Sequence, residues 1–110
     1  MAQDDMYVVM YRIMAYIYDC MKRGVEPENG AWDAGALALP QPYWAHIVRQ
    51  LVERGYLTGV NVSGTYGGTN IVVPSWPRVT MEGVAFMQEN SMMARAVKFL
   101  KDAKSAIPGL

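Results

Sequence analysis

Residues 39–62 read LPQPYWAHIVRQLVERGYLTGVNV. Apolar side chains recur in the first half at spacings of three and four, which is the pattern of one face of an amphipathic helix. These residues are Trp44, Ile47, Val48, Leu51 and Val52. Pro42 is tolerated at the first helical position. Gly55 is a candidate left-handed C-cap, and residues 56–62 alternate as a strand does. The stretch predicts a helix, a glycine stop and a strand, the layout of the second helix of a helix-turn-helix with a β-wing attached.

The rest of the wing is predicted from the residues that follow this strand. Residues 63–70 read SGTYGGTN and lie between two β-branched runs, which is typical of a hairpin tip. The return strand is predicted over residues 71–73. Pro74 and Pro77 are expected to end its pairing, because proline has no N–H to donate to a strand ladder.

A helix that is apolar on most of its circumference is predicted over residues 6–21, and Gly24 is expected to stop it. Asp4 or Asp5 can cap its start. One stripe at helical period consists of Met6, Met10, Ile13, Met14, Ile17, Cys20 and Met21. A second face beside it carries Tyr7, Tyr11 and Tyr18. Such a helix must be covered on more than one side, by the rest of the domain or by a second subunit.

The segment between these two helices predicts a turn and a short helix. Residues 25–31 read VEPENGA, with a proline and an Asn-Gly pair that favour a turn. Asp33 is expected to cap a short helix over residues 33–37. Residues 38–41 are then the turn of the helix-turn-helix.

Two helices are predicted after the wing. Thr80 is expected to cap the first, over residues 81–90, with Glu82 favourably placed in its first turn. Ser91 is expected to cap the second, which extends to about residue 106. The order α–α–α–β–β–α–α predicts a mainly α fold with a small β-hairpin, a winged helix-turn-helix with extra C-terminal helices. One domain is expected over residues 1–110, with its core in 5–80 and a helical extension in 81–107.

Composition narrows the classes of function. The chain has 110 residues and a formal net charge of zero; 52% of it is hydrophobic and 18% is charged. Zero net charge argues against strong non-specific binding to nucleic acid or anionic membrane, although a local basic patch can still exist. Cys20 and His46 are the single cysteine and histidine, so neither an intramolecular disulfide nor a His/Cys zinc cluster can form.

No apolar run approaches the length of a membrane span, and the N-terminus is acidic where a signal peptide would be basic. We therefore expect a cytoplasmic protein. No motif indicates an enzyme, a cofactor or a small-molecule ligand, and the wing lacks the lysine of a P-loop.

The candidate contacts to double-stranded DNA lie on the helix of the opening stretch. Its expected outward positions are Tyr43, Ala45, His46, Arg49, Gln50 and Glu53. Arg49 and Gln50 have the chemistry for guanine and adenine edges, while His46 and Tyr43 can contact phosphates. The alternative is a solvated face on which Arg49 pairs with Glu53 one turn later.

The wing adds Tyr66 and Arg78 as candidate contacts, but its tip residues carry no charge. Those residues are Thr65, Tyr66, Thr69 and Asn70. Residues 40–80 contain three arginines and one glutamate, a net charge of +2. Because phosphate contacts supply most of the affinity, weak binding, or binding as a dimer, is the most that this charge supports. A basic run on the last helix, Arg95, Lys98, Lys101 and Lys104, is better explained as a solvated face.

A homodimer is also expected. Its interface would join Tyr7, Tyr11 and Tyr18 of the first helix to Met92 and Phe99 of the last helix of a second subunit, since tyrosine and methionine are enriched in interfaces. The competing arrangement has the last helix fold back on the first within one chain.

Three segments resemble the YjcQ-like family, small winged-helix proteins of bacterial and phage or prophage genomes. They are LVERGYLTGV at 51–60, VTMEGVAFM at 79–87, and ENS at 89–91 followed by ARAVK at 94–98. The resemblance implies the fold and a phage-like context, but no substrate, cofactor or catalytic residue. The favoured hypothesis is a DNA-binding protein, such as a transcriptional regulator of phage type. The alternative is a protein-interaction module with the same shape that does not bind DNA.

Overall fold

The computed structural model describes residues 1–66 and 69–104, apart from the side chains of Thr65, Tyr66, Thr69 and Lys104. The elements are α1 (Met6–Arg23), a 3-10 helix (Asn29–Ala31), α2 (Gln41–Glu53), β1 (Leu57–Tyr66), β2 (Thr69–Val79), α3 (Met81–Glu89) and α4 (Ser91–Lys104). β1 and β2 form an antiparallel hairpin directly after α2. The fold is therefore mainly helical with a two-stranded wing, a winged-helix arrangement, as the sequence predicted.

The core forms where α1 meets α2. The fully buried side chains Ile13, Met14 and Ile17 of α1 pack in one cluster with those of Ile47, Val48 and Leu51 of α2. Each helix ends at the predicted glycine. Gly24 and Gly55 have left-handed φ values of 70° and 76°, which a side chain would disfavour. The following backbone N–H groups then bond back into the last turn, from Val25 to Cys20 and from Tyr56 to Leu51.

The short helix predicted over residues 33–37 does not form. The Asp33 carboxylate accepts the N–H of Ala36 at 2.8 Å, as a helix cap would. The backbone then closes a single turn, because Ala38 takes a left-handed φ of 55° and the Leu39 N–H returns to the carbonyl of Ala34. A 3-10 helix and one turn therefore replace the middle helix of the predicted three.

Two tryptophans fix the entry to α2. Trp32 and Trp44 are buried, their ring centroids lie 5.5 Å apart, and the Trp44 indole N–H donates to the carbonyl of Trp32 at 2.9 Å. α2 begins at Gln41, so Pro42 occupies its second position rather than the first.

The prediction that Pro74 and Pro77 end strand pairing was wrong. β2 runs on to Val79, with Pro74 opposite Val60 and Val79 opposite Leu57. In a two-stranded sheet each strand has an outer edge that needs no ladder partner, so β2 tolerates proline.

A bulge near the base of the wing accommodates this irregular strand. Thr58 pairs with Arg78 and Val60 with Pro74, so Gly59 alone faces residues 75–77. Gly59 has φ +75°, and a Cβ there would overlap the carbonyl oxygen of Trp76. Trp76 itself has φ 57°, a conformation that costs a bulky residue about 1–3 kcal/mol.

The helices after the wing are fixed by two side-chain caps. Thr80 Oγ1 accepts the N–H of Gly83 at 3.0 Å, and its hydroxyl donates to the carbonyl of Gly55. Asn90, rather than the predicted Ser91, caps α4, because Asn90 Oδ1 accepts the N–H groups of Met92 and Met93 at 2.9 and 3.1 Å.

α4 packs against α1 and α3 of the same chain. Met93 and Ala96 on its inner face are completely buried. The predicted end of the helix near residue 106 lies outside the described residues.

Candidate nucleic-acid interface

The outward face of α2 is centred on His46, which is exposed together with Glu53; Arg49 and Gln50 are half-buried beside them. Ala45 was predicted to face outward, and this was wrong, because it is completely buried. Both strands of the wing pack along α2. They cover part of the helix surface that helical spacing alone predicts to be exposed.

Arg49 joins this face to the wing. Its Nη1 donates to Asn70 Oδ1 at 2.6 Å, and its Nε donates to Glu53 Oε1 at 3.3 Å. The predicted pairing with Glu53 is therefore confirmed, but the shorter contact is the one to β2. The Arg49 side chain remains 41% exposed, and a guanidinium has five N–H donors, so these two contacts leave capacity for a further acceptor.

Tyr43 ties the N-terminal segment to the start of α2. Its hydroxyl donates to the backbone carbonyl of Asp4 at 2.6 Å. Burial raises the pKa of the Tyr43 phenol, and the negative charges of Asp4 and Asp5 raise it further. These carboxylates place negative charge near the N-terminal end of α2, where Tyr43 lies.

Gln50 lies at the opposite margin of the outward face from the wing. It lines a small cleft of about 130 Å³ where α1, α2 and α3 meet, together with Arg54 and the aromatic rings of Tyr7 and Phe86. Gln50 and Arg54 thus bring polar donors to the edge of the face on the side of α3.

The predicted wing contacts do not join this face. Arg78 pairs with Thr58, and both are exposed, whereas their neighbours Leu57 and Val79 are buried against the core. Because side chains alternate along a strand, Arg78 lies on the wing face turned away from α2. Tyr66 ends β1, and its side chain lies outside the described part of the chain.

The contact of Asn70 with Arg49 is the feature of this face that the sequence did not predict. Asn70 was visible only as one of several uncharged wing residues. Its partner Arg49 lies 21 positions earlier, and no local pattern links the two.

The residues of the predicted dimer interface are partly buried within the single chain. Tyr7 lies 6.4 Å from Phe86, ring centroid to centroid. Tyr11 and Tyr18 line a cleft of about 420 Å³ with Met87 and Val97. Met92 and Phe99 are also half-buried. The packing of α4 on α1 is the intramolecular arrangement that competed with the dimer.

Two searches of the described residues gave negative results. Residues 1–66 and 69–104 contain no group of three or more side chains suited to hold a metal ion. In the same part of the chain, no helix combines the length and the apolar character needed to cross a membrane.

Comparison with known proteins gives one relationship. The search of curated proteins and the search of solved structures each returned no match. The family described as YjcQ protein matches residues 11–106, which include all of α2, the wing and α3 and most of α1. The chain belongs to the YjcQ family.

Proposed function

We propose that the protein binds double-stranded DNA, presenting the outward face of α2 to the major groove in the manner of a transcriptional regulator of phage or prophage type. The observation that carries the proposal is the bond from Arg49 to Asn70. It fixes an exposed guanidinium between the helix and the wing, so that the two form one surface. In helix-turn-helix proteins the corresponding helix contacts base edges.

The charge of this surface supports weak, salt-sensitive binding. Arg78 lies on the opposite face of the wing, so Arg49 and Arg54 against Glu53 give the α2 surface a net charge of +1. Arg49 and Arg54 lie at the C-terminal end of α2, and His46 is exposed on the same helix. If Arg49 and Arg54 each neutralise one phosphate, the logarithm of the binding constant should fall with the logarithm of salt concentration with a slope of about −2.

Fluorescence anisotropy with a labelled random duplex at low salt tests the proposal. We expect a Kd of about 1–100 μM, the range of non-specific binding, and Arg49→Ala should weaken it about tenfold. Arg23→Ala is the matched control, because Arg23 also pairs with a carboxylate one helical turn away, Asp19, but on α1. A wild-type protein that does not bind at 100 μM, or equal affinities for the two variants, contradicts the proposal.

A protein-interaction module without DNA binding is the second candidate function. It is supported by the zero net charge of the chain and by exposed apolar side chains on the wing, Ile71, Val73 and Trp76. The anisotropy experiment separates the two candidates, because this function predicts no duplex binding even at low salt.

The homodimer stays a prediction. A second subunit would have to cover the cleft lined by Tyr11 and Tyr18, since α4 of the same chain already packs on α1. Sedimentation equilibrium at high micromolar concentration should then give twice the monomer mass. A monomer mass leaves the intramolecular packing as the full account of the two apolar stripes.

A further inference from the structure

The outer face of the wing is uncharged along most of its length and carries large apolar side chains. Ile71 and Val73 are 44% and 53% exposed. Their cross-strand neighbours are Ser63 and Asn61, which are exposed and neutral. Because side chains alternate across a strand, these residues share the face that is turned away from α2.

Trp76 is held at the base of the same strand in a strained backbone conformation. Its φ is 57°, which a bulky residue rarely adopts, and 51% of its surface is exposed. Trp76 lies in the bulge opposite Gly59, and bulges commonly re-aim a side chain next to a functional site. Strained residues cluster at functional sites, so a large, half-exposed aromatic side chain at such a position is a candidate contact residue.

Arg78 is the only charged residue in residues 57–79. It is exposed, and its side chain forms no ion pair or hydrogen bond with any described residue. Tryptophan and arginine are the residue types most enriched at the centres of protein interfaces. A ligand of this face therefore needs apolar side chains along Ile71 and Val73 and an acceptor, best a carboxylate, at Arg78.

We propose that this outer face, formed by Ile71, Val73 and Arg78 with the half-exposed Trp76 of the bulge between them in sequence, binds an extended segment of a partner protein that carries apolar side chains and a carboxylate. A two-stranded hairpin with nine residues in each strand is roughly 30 Å long and 10 Å wide, so one of its faces has an area of about 300 Å². A stable globular interface needs about 800 Å² from each partner. The face thus fits a short segment better than a second copy of the chain, which would also bring a second Arg78 instead of a carboxylate. The proposal does not depend on whether α2 binds DNA.

Selection from a displayed library of random nine-residue peptides tests the proposal. The enriched peptides should combine apolar residues with Asp or Glu. Their affinity can be followed by tryptophan fluorescence, because Trp76 is half-exposed while Trp32 and Trp44 are buried. Val73→Ser should lower the affinity at least tenfold. Met81→Ser is the matched control, since Met81 is 86% exposed but lies outside the face.

A charge exchange makes the test specific. Arg78→Glu should lower the affinity for the acidic peptides at least tenfold, and replacing their carboxylate by lysine should restore it. Arg78→Glu and Val73→Ser both change exposed side chains, so the far-ultraviolet circular dichroism of each variant should match that of the wild type.

Four results would overturn the proposal. The first is a selection that enriches no peptide, and the second is a set of peptides that bind Val73→Ser as tightly as the wild type. A wild-type dimer that Val73→Ser dissociates would identify a second copy as the occupant. Loss of DNA binding in Val73→Ser with peptide binding unchanged would identify a nucleic-acid surface.

Discussion

The root of the wing (residues 57–60 and 74–79) and its distal part (residues 61–66 and 69–73) belong to one hairpin but are held in different ways. Leu57, Val60 and Val79 at the root are 2%, 8% and 4% exposed and join the core. In the distal part the side-chain hydrogen bond found among the described residues runs from Arg49 to Asn70. The root is therefore part of the core, whereas the distal part lies at its margin, where Val62 and Val72 are only partly buried against the core cluster.

The largest expected effect tests the steric demand at the root. Gly59→Ala forces a Cβ onto the carbonyl oxygen of Trp76 at a backbone φ of +75°. Because the obstacle is backbone rather than a flexible side chain, we expect the free energy of unfolding to fall by about 4 kcal/mol, at the severe end for a single substitution. Urea denaturation followed by circular dichroism measures this change.

Gly64→Ala is the control for this prediction in the distal part of the same strand. Beyond Gly64 and its two chain neighbours, no atom of the described residues lies within 4 Å of a Cβ built at Gly64, so the free energy of unfolding should change by less than about 0.5 kcal/mol. Equal losses in the two variants would show that the root and the distal part are not held differently.

A smaller effect is expected where the root passes into α3. Thr80→Ala removes the cap on Gly83 and the hydroxyl bond to the carbonyl of Gly55, and should lower the free energy of unfolding by about 1 kcal/mol. Ser91→Ala is the control, because Asn90 caps α4. If Ser91→Ala were the more damaging change in thermal unfolding, the assignment of the two caps would be wrong.

The features that the sequence predicted correctly depend on short-range chemistry. Gly24 and Gly55 end α1 and α2 because the left-handed conformation after a helix favours glycine wherever the helix packs. Thr80 caps α3 for an equally local reason, since its hydroxyl is three residues from the N–H that it accepts. Such signals do not require knowledge of the rest of the fold.

Several errors arose from packing or backbone geometry that no local pattern shows. Helical spacing predicted Ala45 as an outward residue, but it is completely buried in the core cluster. Pro74 looked like a strand end, although the outer edge of a two-stranded sheet accommodates it. Ala38 ends the predicted helix over residues 33–37 after one turn by taking a positive φ, which no propensity predicts for alanine.

The candidate site likewise contains residues that the sequence predicted correctly and contacts that it did not predict. His46, Arg49 and Gln50 were predicted on α2 from helical spacing, and the structure brings them to one face. Arg78 was grouped with them only because it follows the wing in sequence, whereas strand alternation places it on the opposite face. The tie from Arg49 to Asn70 spans 21 positions and depends on how the hairpin folds over α2.

The smallest expected effect on stability comes from removing the hydrogen bond between Arg49 and Asn70 in the distal part of the wing. Asn70→Ala removes one partly buried hydrogen bond to a charged donor that remains partly in water, so the free energy of unfolding should fall by only about 0.5 kcal/mol. If α2 binds DNA, the same change should weaken duplex binding several-fold, because Arg49 loses the contact that positions its guanidinium. Asn61→Ala is the control, since Asn61 is exposed on the outer face of the wing.

Asn70→Asp separates positioning from charge. A carboxylate at this position keeps an acceptor for Arg49 and makes the bond charge-assisted, so the protein should be at least as stable as the wild type. It also lowers the net charge of residues 40–80 from +2 to +1, so duplex binding should weaken and its salt dependence should become shallower. A variant that loses stability in urea, or that binds duplex more tightly in the anisotropy assay, would contradict this account. Stability and binding that change in opposite directions would show that the distal wing serves the surface of α2 rather than the core.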